Sequence, residues 1–308
     1  MTGSAPVVSS VASIPDPVRR TYVKPALDPA ALLQHVMARG LVVADPAAAL
    51  RALATIGYYR LLIYMRALQA PRGKVFNPGA TFEQLVTLYD FDRALRLLCM
   101  DGIERIEVAL RASITHRVAV PHGPHFYEDA AFFVSTPWFK HGELLTKLDA
   151  CESLGITHYQ QTYGSPSRPP VWVVLEAATF GTLSRTYSGL LPVHQLNVAR
   201  DFALPVAILV SWFRALSSLR NLCAHHGRLW NARILINAPK PAYKFAAQFD
   251  NVQTTHAHLV VLAALLQQVD PAAQFWTQKL RDLFHSYPSV APSALGFPYR
   301  WETDPFWR

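Results

Sequence analysis

The stretch from Arg220 to Asn231 places an arginine, an asparagine and two histidines (Arg220, Asn221, His225 and His226) within seven positions. These residue types suit proton transfer beside an anion. An unperturbed imidazole, with a pKa near ~6.5, gives or takes a proton at neutral pH. A guanidinium is permanently charged and presents a planar fork to phosphate oxygens. A plainer explanation also fits. Histidines gather at helix C-termini because the macrodipole favours them there, and an arginine on a half-buried helix often only pairs with a carboxylate.

A helix must position these groups. Pro205 suits its first turn, having no N–H to lose there. Leu209, Trp212, Leu216, Leu219 and Cys223 recur at helical spacing and predict a buried face. Arg214, Ser218, Asn221 and His225 form a second, wholly polar stripe. Gly227 can close the helix as a left-handed cap. Arg220 and His225 are five residues apart, roughly 140° around an ideal helix. They meet only if the helix end unwinds or a second subunit supplies one of them. His225 continues the polar stripe and is the candidate catalytic histidine. His226 follows the line of Leu216, Leu219 and Cys223, which makes it a core or capping residue and a supporting candidate.

The charge distribution names an anion. The net charge is +8, and no acidic residue falls between Asp201 and Asp250, whereas Arg214, Arg220, Arg228, Arg233, Lys240 and Lys244 do. Phosphate is the expected partner of such an interval, with Arg214, Arg228 and Arg233 as candidate contacts.

The remaining composition sets bounds. With 308 residues, 51% hydrophobic and 16% charged, the chain has material for a real core and lies outside the disordered range. Cys99, Cys151 and Cys223 form neither a disulfide framework nor a zinc knuckle, which favours a reducing cytoplasm. Residues 1–15 show no secretory signal, and the longest apolar runs, such as Leu259–Leu266, fall short of the ~20 residues of a membrane span. A cytoplasmic protein without a membrane partner is expected. Dinucleotide, P-loop, nucleophile-elbow and zinc-protease signatures are missing, so no cofactor is expected. His116, His122 and His125 do not match a metal-site spacing, and no metal is assigned.

An all-α fold follows from the pattern. A flexible leader is expected over 1–17, and a single helical domain over 18–308. Asp28-Pro29 and Asp45-Pro46 read as helix starts, the second helix running to Leu68. Within it, Tyr58-Tyr59-Arg60 is read as packing. Thr81 to Gln84 has capping-box spacing and opens the longest helix, through Leu110, kinked or divided at Gly102. Its polar side carries Asp92, Arg93, Arg96, Glu104, Glu107 and Arg111. Further helices are expected over 141–154, 171–190 (with Gly181 allowing a close approach), 254–269 and 271–287. Residues 288–308, rich in aromatics, read as an irregular strap over the body.

Several stretches together resemble the Abi-like (abortive infection, D/F type) proteins of the HEPN superfamily. They include Lys24-Pro25-Ala26-Leu27, Tyr58-Tyr59-Arg60-Leu61, Tyr89-Asp90-Phe91-Asp92-Arg93, and Glu104-Arg105-Ile106-Glu107. Pro169-Pro170-Val171-Trp172, Glu176, Phe180 to Ser184, Leu219-Arg220-Asn221 to Asn231, Gly296-Phe297-Pro298 and Trp301 to Trp307 continue the series in order. The resemblance implies a HEPN-type helical bundle that dimerises, with an N-terminal helical extension over 28–70, a core over about 81–287 and the C-terminal strap. It implies a metal-independent ribonuclease in anti-phage defence, built on Arg220 and His225 or His226 with Asn221 as the polar neighbour. Glu104, Glu107 and Arg111 then become either a supporting layer that orients Arg220 or a solvated ion-pair ladder. RNA, a second copy of the chain, and a small-RNA or protein antitoxin are the implied partners. Two alternatives remain: a non-catalytic RNA-binding or regulatory module, and a metal-dependent hydrolase using the loop at His116–His125.

Overall fold

Asp28 and Asp45 each cap a helix that has proline in its first turn. They accept hydrogen bonds from the N–H of Ala31 at 2.7 Å and of Ala48 at 2.9 Å. These open α1 (Pro29–Met37) and α2 (Pro46–Thr55). The computed structural model describes residues 21–270 and 272–308, so the expected leader over 1–17 lies outside the described residues.

The helix expected to run from 46 to 68 is divided. Gly57 adopts φ +88, which a side chain would resist, and α3 (Tyr58–Met65) starts afresh after it. Conversely, α4 (Phe82–Ile114) passes Gly102 without a break. Gly102 marks a close crossing rather than a kink: a Cβ there would lie 2.9 Å from Trp276 Nε1 and 3.1 Å from Leu262 and Leu266. Thr81 and Gln84 form the capping box at its start. Beyond Ile114 the helix widens by one turn and ends in the short α5 (Val120–His122).

Two more expected helices are each shorter than predicted. The one over 141–154 stops as α6 (His141–Asp149), and Ser153 caps a new one, α7 (Leu154–Thr162). That over 171–190 divides into α8 (Val171–Ala177) and α9 (Phe180–Gly189), because Ala178 is extended and Thr179 caps α9 through the N–H of Thr182. The sequence pattern does not reveal α10 (Pro192–Ala199). Then come α11 (Val206–Ala224), α12 (Thr255–Val269) and α13 (Ala273–Ser286).

Helix α4 is the axis of the bundle and packs against α3, α11, α12 and α13, with α9 laid across α11. The first twelve residues of α12, Thr255 to Leu266, are all buried. Each large apolar side chain so removed from water stabilises the fold by about 1.5–3 kcal/mol before chain entropy is counted. The fold is all-α. Among the described residues extended pairing is limited to isolated bridges such as Val42 with Thr81. No single helix among them is long and apolar enough to cross a membrane.

The polar side expected on α4 is not uniformly solvated. Asp92 and Arg96 are buried, 0% and 5% exposed, because both reach the turn that follows α11. The aromatic C-terminus closes the far end of the bundle, with Phe297, Trp301 and Trp307 buried. His256 is packed into this strap, its ring centroid 4.4 Å from that of Phe297 and 5.6 Å from that of Trp307.

Burial lowers the His256 pKa to about 4, because a charged ring among aromatics loses hydration. A histidine with a folded pKa below its unfolded value adds stability above the unfolded value and loses it as pH falls toward the folded one. The strap is therefore expected to loosen between about pH 6.5 and 4, at a cost on the order of 3 kcal/mol. Tryptophan emission should shift red over that window in the wild type, and His256→Phe should flatten the transition. An unchanged transition in the variant would remove His256 as its cause.

Candidate active site

Helix α11 buries the face that its spacing predicts: Leu209, Trp212, Leu216, Leu219 and Cys223 all point inward. Its polar stripe meets solvent. Arg214, Asn221 and His225 are exposed and Ser218 is half-buried. Asn221, His225, Arg228 and Arg233 line one trough of about 760 Å³, whose opposite wall is the segment from Ala232 to Asn237. Through Ser217 and Asn237 it adjoins a second hollow of about 430 Å³, which holds Arg214. No carboxylate lines either one.

The second hollow brings in cations that the sequence did not single out. Lys147 and Arg185 share its wall with Trp138, a tryptophan left 55% exposed. The Arg214 guanidinium sits 5.8 Å from the Trp138 ring centroid. Arg185 lies 5.8 Å from the Phe139 centroid while bonding Glu143 at 2.7 Å. A basic channel with exposed aromatic surface suits a strand that offers phosphates and unpaired bases. Nothing in the local sequence of α6 or α9 signals this role, since it arises only where they cross α11.

Arg220 stands apart. It is half-buried, lines neither hollow, and donates to Asn221 Oδ1 at 3.3 Å. Among the described residues it forms no ion pair with Glu104 or Glu107. Glu107 instead bonds Arg111 at 2.5 Å. Arg111 also donates to the carbonyls of Leu175 at 2.8 Å and Ala178 at 3.2 Å, holding α4 to the α8–α9 link. Burial raises the Glu107 pKa, opposed by the charge of Arg111 and then of Arg220. Arg220 thus lies near the acidic side of α4 without pairing with it.

The helix end does not unwind to unite Arg220 with His225. The His225 N–H still bonds the Asn221 carbonyl at 2.9 Å. The next two bonds, His226 N–H to Cys223 O at 3.0 Å and Gly227 N–H to Leu222 O at 2.7 Å, complete a Schellman termination. The left-handed residue in it is His226, with φ +57, and not Gly227 as the sequence suggested. Gly227 occupies the following position, where a Cβ would come within 2.2 Å of Leu222 Cδ1. A histidine held left-handed costs about 1–2 kcal/mol, and its ring is exposed, which removes the core role considered for His226.

What holds this strained corner is a buried polar clamp from α3 and α4. Asp92 accepts the N–H groups of Leu229 at 3.0 Å and Trp230 at 2.5 Å, the Tyr64 hydroxyl at 2.6 Å, and a hydrogen bond from Arg96. Arg96 also donates to the Gly227 carbonyl at 3.2 Å, and Arg60 to that of His226. Arg228, a candidate phosphate contact by sequence, donates to the Ile63 carbonyl at 2.8 Å, so much of its capacity is structural. On the far side Thr255 bonds the Leu229 carbonyl at 2.7 Å. Burial is the largest influence on Asp92 and raises its pKa, while its bonded partners pull the other way. The same burial, and then the Asp92 charge, raises the Tyr64 pKa.

His122 and His125, which the sequence groups with His116, are engaged separately. His122 packs edge-on against Phe132 and His194, at 5.1 and 5.0 Å, and His125 Nε2 lies 3.0 Å from the Arg168 carbonyl.

A profile of one protein family, described as Abi-like protein, matches residues 51–231, more than half of the chain. The match includes α3, α4 and α11 together with the corner that they clamp. No curated protein and no solved structure matches. The clamp, the helix it terminates and the polar stripe all fall inside the matched span, and the chain belongs to the Abi-like protein family.

Proposed function

We propose that the protein is a metal-independent RNA endonuclease of the HEPN type, acting as a toxin-like effector in bacterial abortive infection against phage. The reaction is attack of a ribose 2′-hydroxyl on the adjacent phosphorus with departure of the 5′-oxygen. It leaves a 2′,3′-cyclic phosphate and a 5′-hydroxyl. His225 moves the proton at one of these oxygens, Arg220 stabilises the charge gathering on the phosphorane, and Asn221 fixes the ring or contacts the substrate. His226 is a supporting candidate. Because Arg220 does not line the trough that holds His225, the active unit is a homodimer in which one chain offers its arginine to the other's histidine. A small-RNA or protein antitoxin is the proposed restraint on such an activity.

The observation that carries this reading is the exposure of His225 and Asn221 on a basic trough without carboxylates. Purified protein should cut RNA in EDTA and leave cyclic-phosphate ends. In the adjoining hollow, Arg214→Ala and Lys147→Ala should each weaken RNA binding at every sequence. Each should also lower the slope of log K against log salt by about one for every phosphate that the variant no longer neutralises. Slopes identical to wild type would place the RNA elsewhere.

The same isolation of Arg220 favours a second reading, a non-catalytic RNA-binding or regulatory module. It predicts salt-sensitive binding with no cyclic-phosphate product and no effect of His225→Ala.

A further inference from the structure

The largest hollow among those described lies away from the trough, about 1030 Å³ between α1, α3 and the extended segment that precedes α1. Two motifs that the catalytic reading does not use meet in its wall: Lys24-Pro25-Ala26-Leu27 and Tyr58-Tyr59-Arg60-Leu61. Its floor is apolar, with Leu32 and Leu62 among the lining side chains. Its rim is cationic, with Lys24, Arg39 and Lys74, and among the described residues no lining side chain is a carboxylate.

Two tyrosines of this wall have no packing role. Tyr22 is 80% exposed and Tyr59 is 85% exposed, although burying an aromatic ring is among the largest gains open to a folding chain. Tyr58, by contrast, is fixed by an edge-on contact with His35 and by a hydrogen bond from Arg39 at 3.4 Å. Arg66 is occupied in bonding the carbonyls of Pro71 and Gly73, which holds the loop that presents Lys74. Among the described residues no carboxylate pairs with Lys24, Arg39 or Lys74, which stand beside open ring faces. The His35 pKa is lowered by burial first, and then by the charges of Arg39 and Lys74.

A fitting ligand has a flat apolar part that stacks on tyrosine and an anionic part that neutralises two or three cations. We propose that this hollow binds a nucleoside 5′-phosphate unit, met either as a free nucleotide or as one unpaired nucleotide of an RNA. Its volume is ample for one such unit, since small-molecule sites typically occupy about 300–1,000 Å³. Helix α3 is also the wall between this hollow and the His225 corner. Tyr58, Tyr59, Leu62 and Ile63 line the hollow, while Arg60 donates to the His226 carbonyl and the Ile63 carbonyl accepts from the Arg228 side chain. A ligand seated there touches the element that braces the proposed catalytic loop.

The test titrates full-length protein with adenosine 5′-monophosphate and with an unstructured 2′-O-methyl pentanucleotide, which cannot be cleaved through its 2′ oxygen. Saturable binding of the mononucleotide identifies a free nucleotide as the ligand. Much tighter binding of the pentanucleotide, displaced by the mononucleotide, identifies RNA. In either case Tyr59→Ala should weaken binding about tenfold, the usual loss for one stacked base. The Lys24→Ala/Lys74→Ala double variant should weaken it at least as much and reduce its salt dependence. All three residues are exposed, so these variants should fold normally. Arg214→Glu, which reverses the charge in the hollow adjoining the His225 trough, should leave mononucleotide binding unchanged, so failure of the nuclease reading leaves this one standing. Absence of saturable binding by both probes overturns the proposal, as does binding that the Tyr59 and lysine variants leave intact. Uptake of a neutral apolar dye such as Nile red without either phosphate-bearing probe also overturns it, in favour of an apolar occupant.

Discussion

Mixing an Arg220→Ala chain with a His225→Ala chain is expected to restore RNA cleavage that neither variant has alone. Each single variant should lose about 10²–10⁴-fold in rate, the usual contribution of a proton-transfer group or an oxyanion stabiliser. The loss should come without unfolding, because His225 is exposed and the half-buried Arg220 side chain, among the described residues, hydrogen-bonds only Asn221. The helix stays regular to Ala224, so the two side chains of one chain remain on different sides of α11. If they cooperate across a two-fold axis, half the dimers in an equal mixture are mixed. Each mixed dimer keeps one intact site of two, for about a quarter of wild-type activity. Two inactive variants that stay inactive when exchanged would show that the composite site is wrong. Single variants with full activity would remove the catalytic assignment altogether.

Asp92→Ala is expected to be the most damaging single change to the scaffold of the site. The carboxylate is wholly buried and receives two backbone N–H groups, a tyrosine hydroxyl and a guanidinium. Removing it leaves Arg96 charged and buried without its partner, which typically costs about 3–5 kcal/mol. It also leaves the N–H groups of Leu229 and Trp230 unsatisfied. A fall of the melting temperature on the order of 10 °C follows for a chain of this size. Adding Arg96→Met should recover part of the loss, because the stranded charge goes with it. RNA cleavage should fall further than stability explains, since the corner at His226 then loses the bonds that oppose its left-handed strain. A melting temperature within a degree or two of wild type would mean that the clamp contributes little.

Much of this was readable from the chain. The buried face of α11, its polar stripe, the Asp-Pro helix starts and the capping box at Thr81 each depend on residues within one or two turns of each other. Errors arose where local pattern met a distant partner. Gly102 reads as a kink by composition, yet it is the place where Trp276 and α12 press against α4. Gly227 reads as the left-handed cap, yet contact with Leu222 claims it for the next position and His226 takes the strained one. Asp92 and Arg96 read as part of a polar helix side because no local pattern reveals the distant turn after α11 that they bond.

The segment from Arg220 to Asn231 shows where this division falls. Sequence alone determined which groups are available and that they stand at the end of an amphipathic helix, because helical periodicity is a local property. It also determined that the surrounding interval is basic, because charge is additive along a chain. Only the tertiary structure decided that the acid-free interval is braced by a carboxylate 137 residues away, that Lys147 and Arg185 extend its basic surface beside Trp138, and that Arg220 stays outside the lining of His225's trough. Those facts depend on how helices cross, and crossings are set by side-chain packing summed over the whole core rather than by any short stretch of residues.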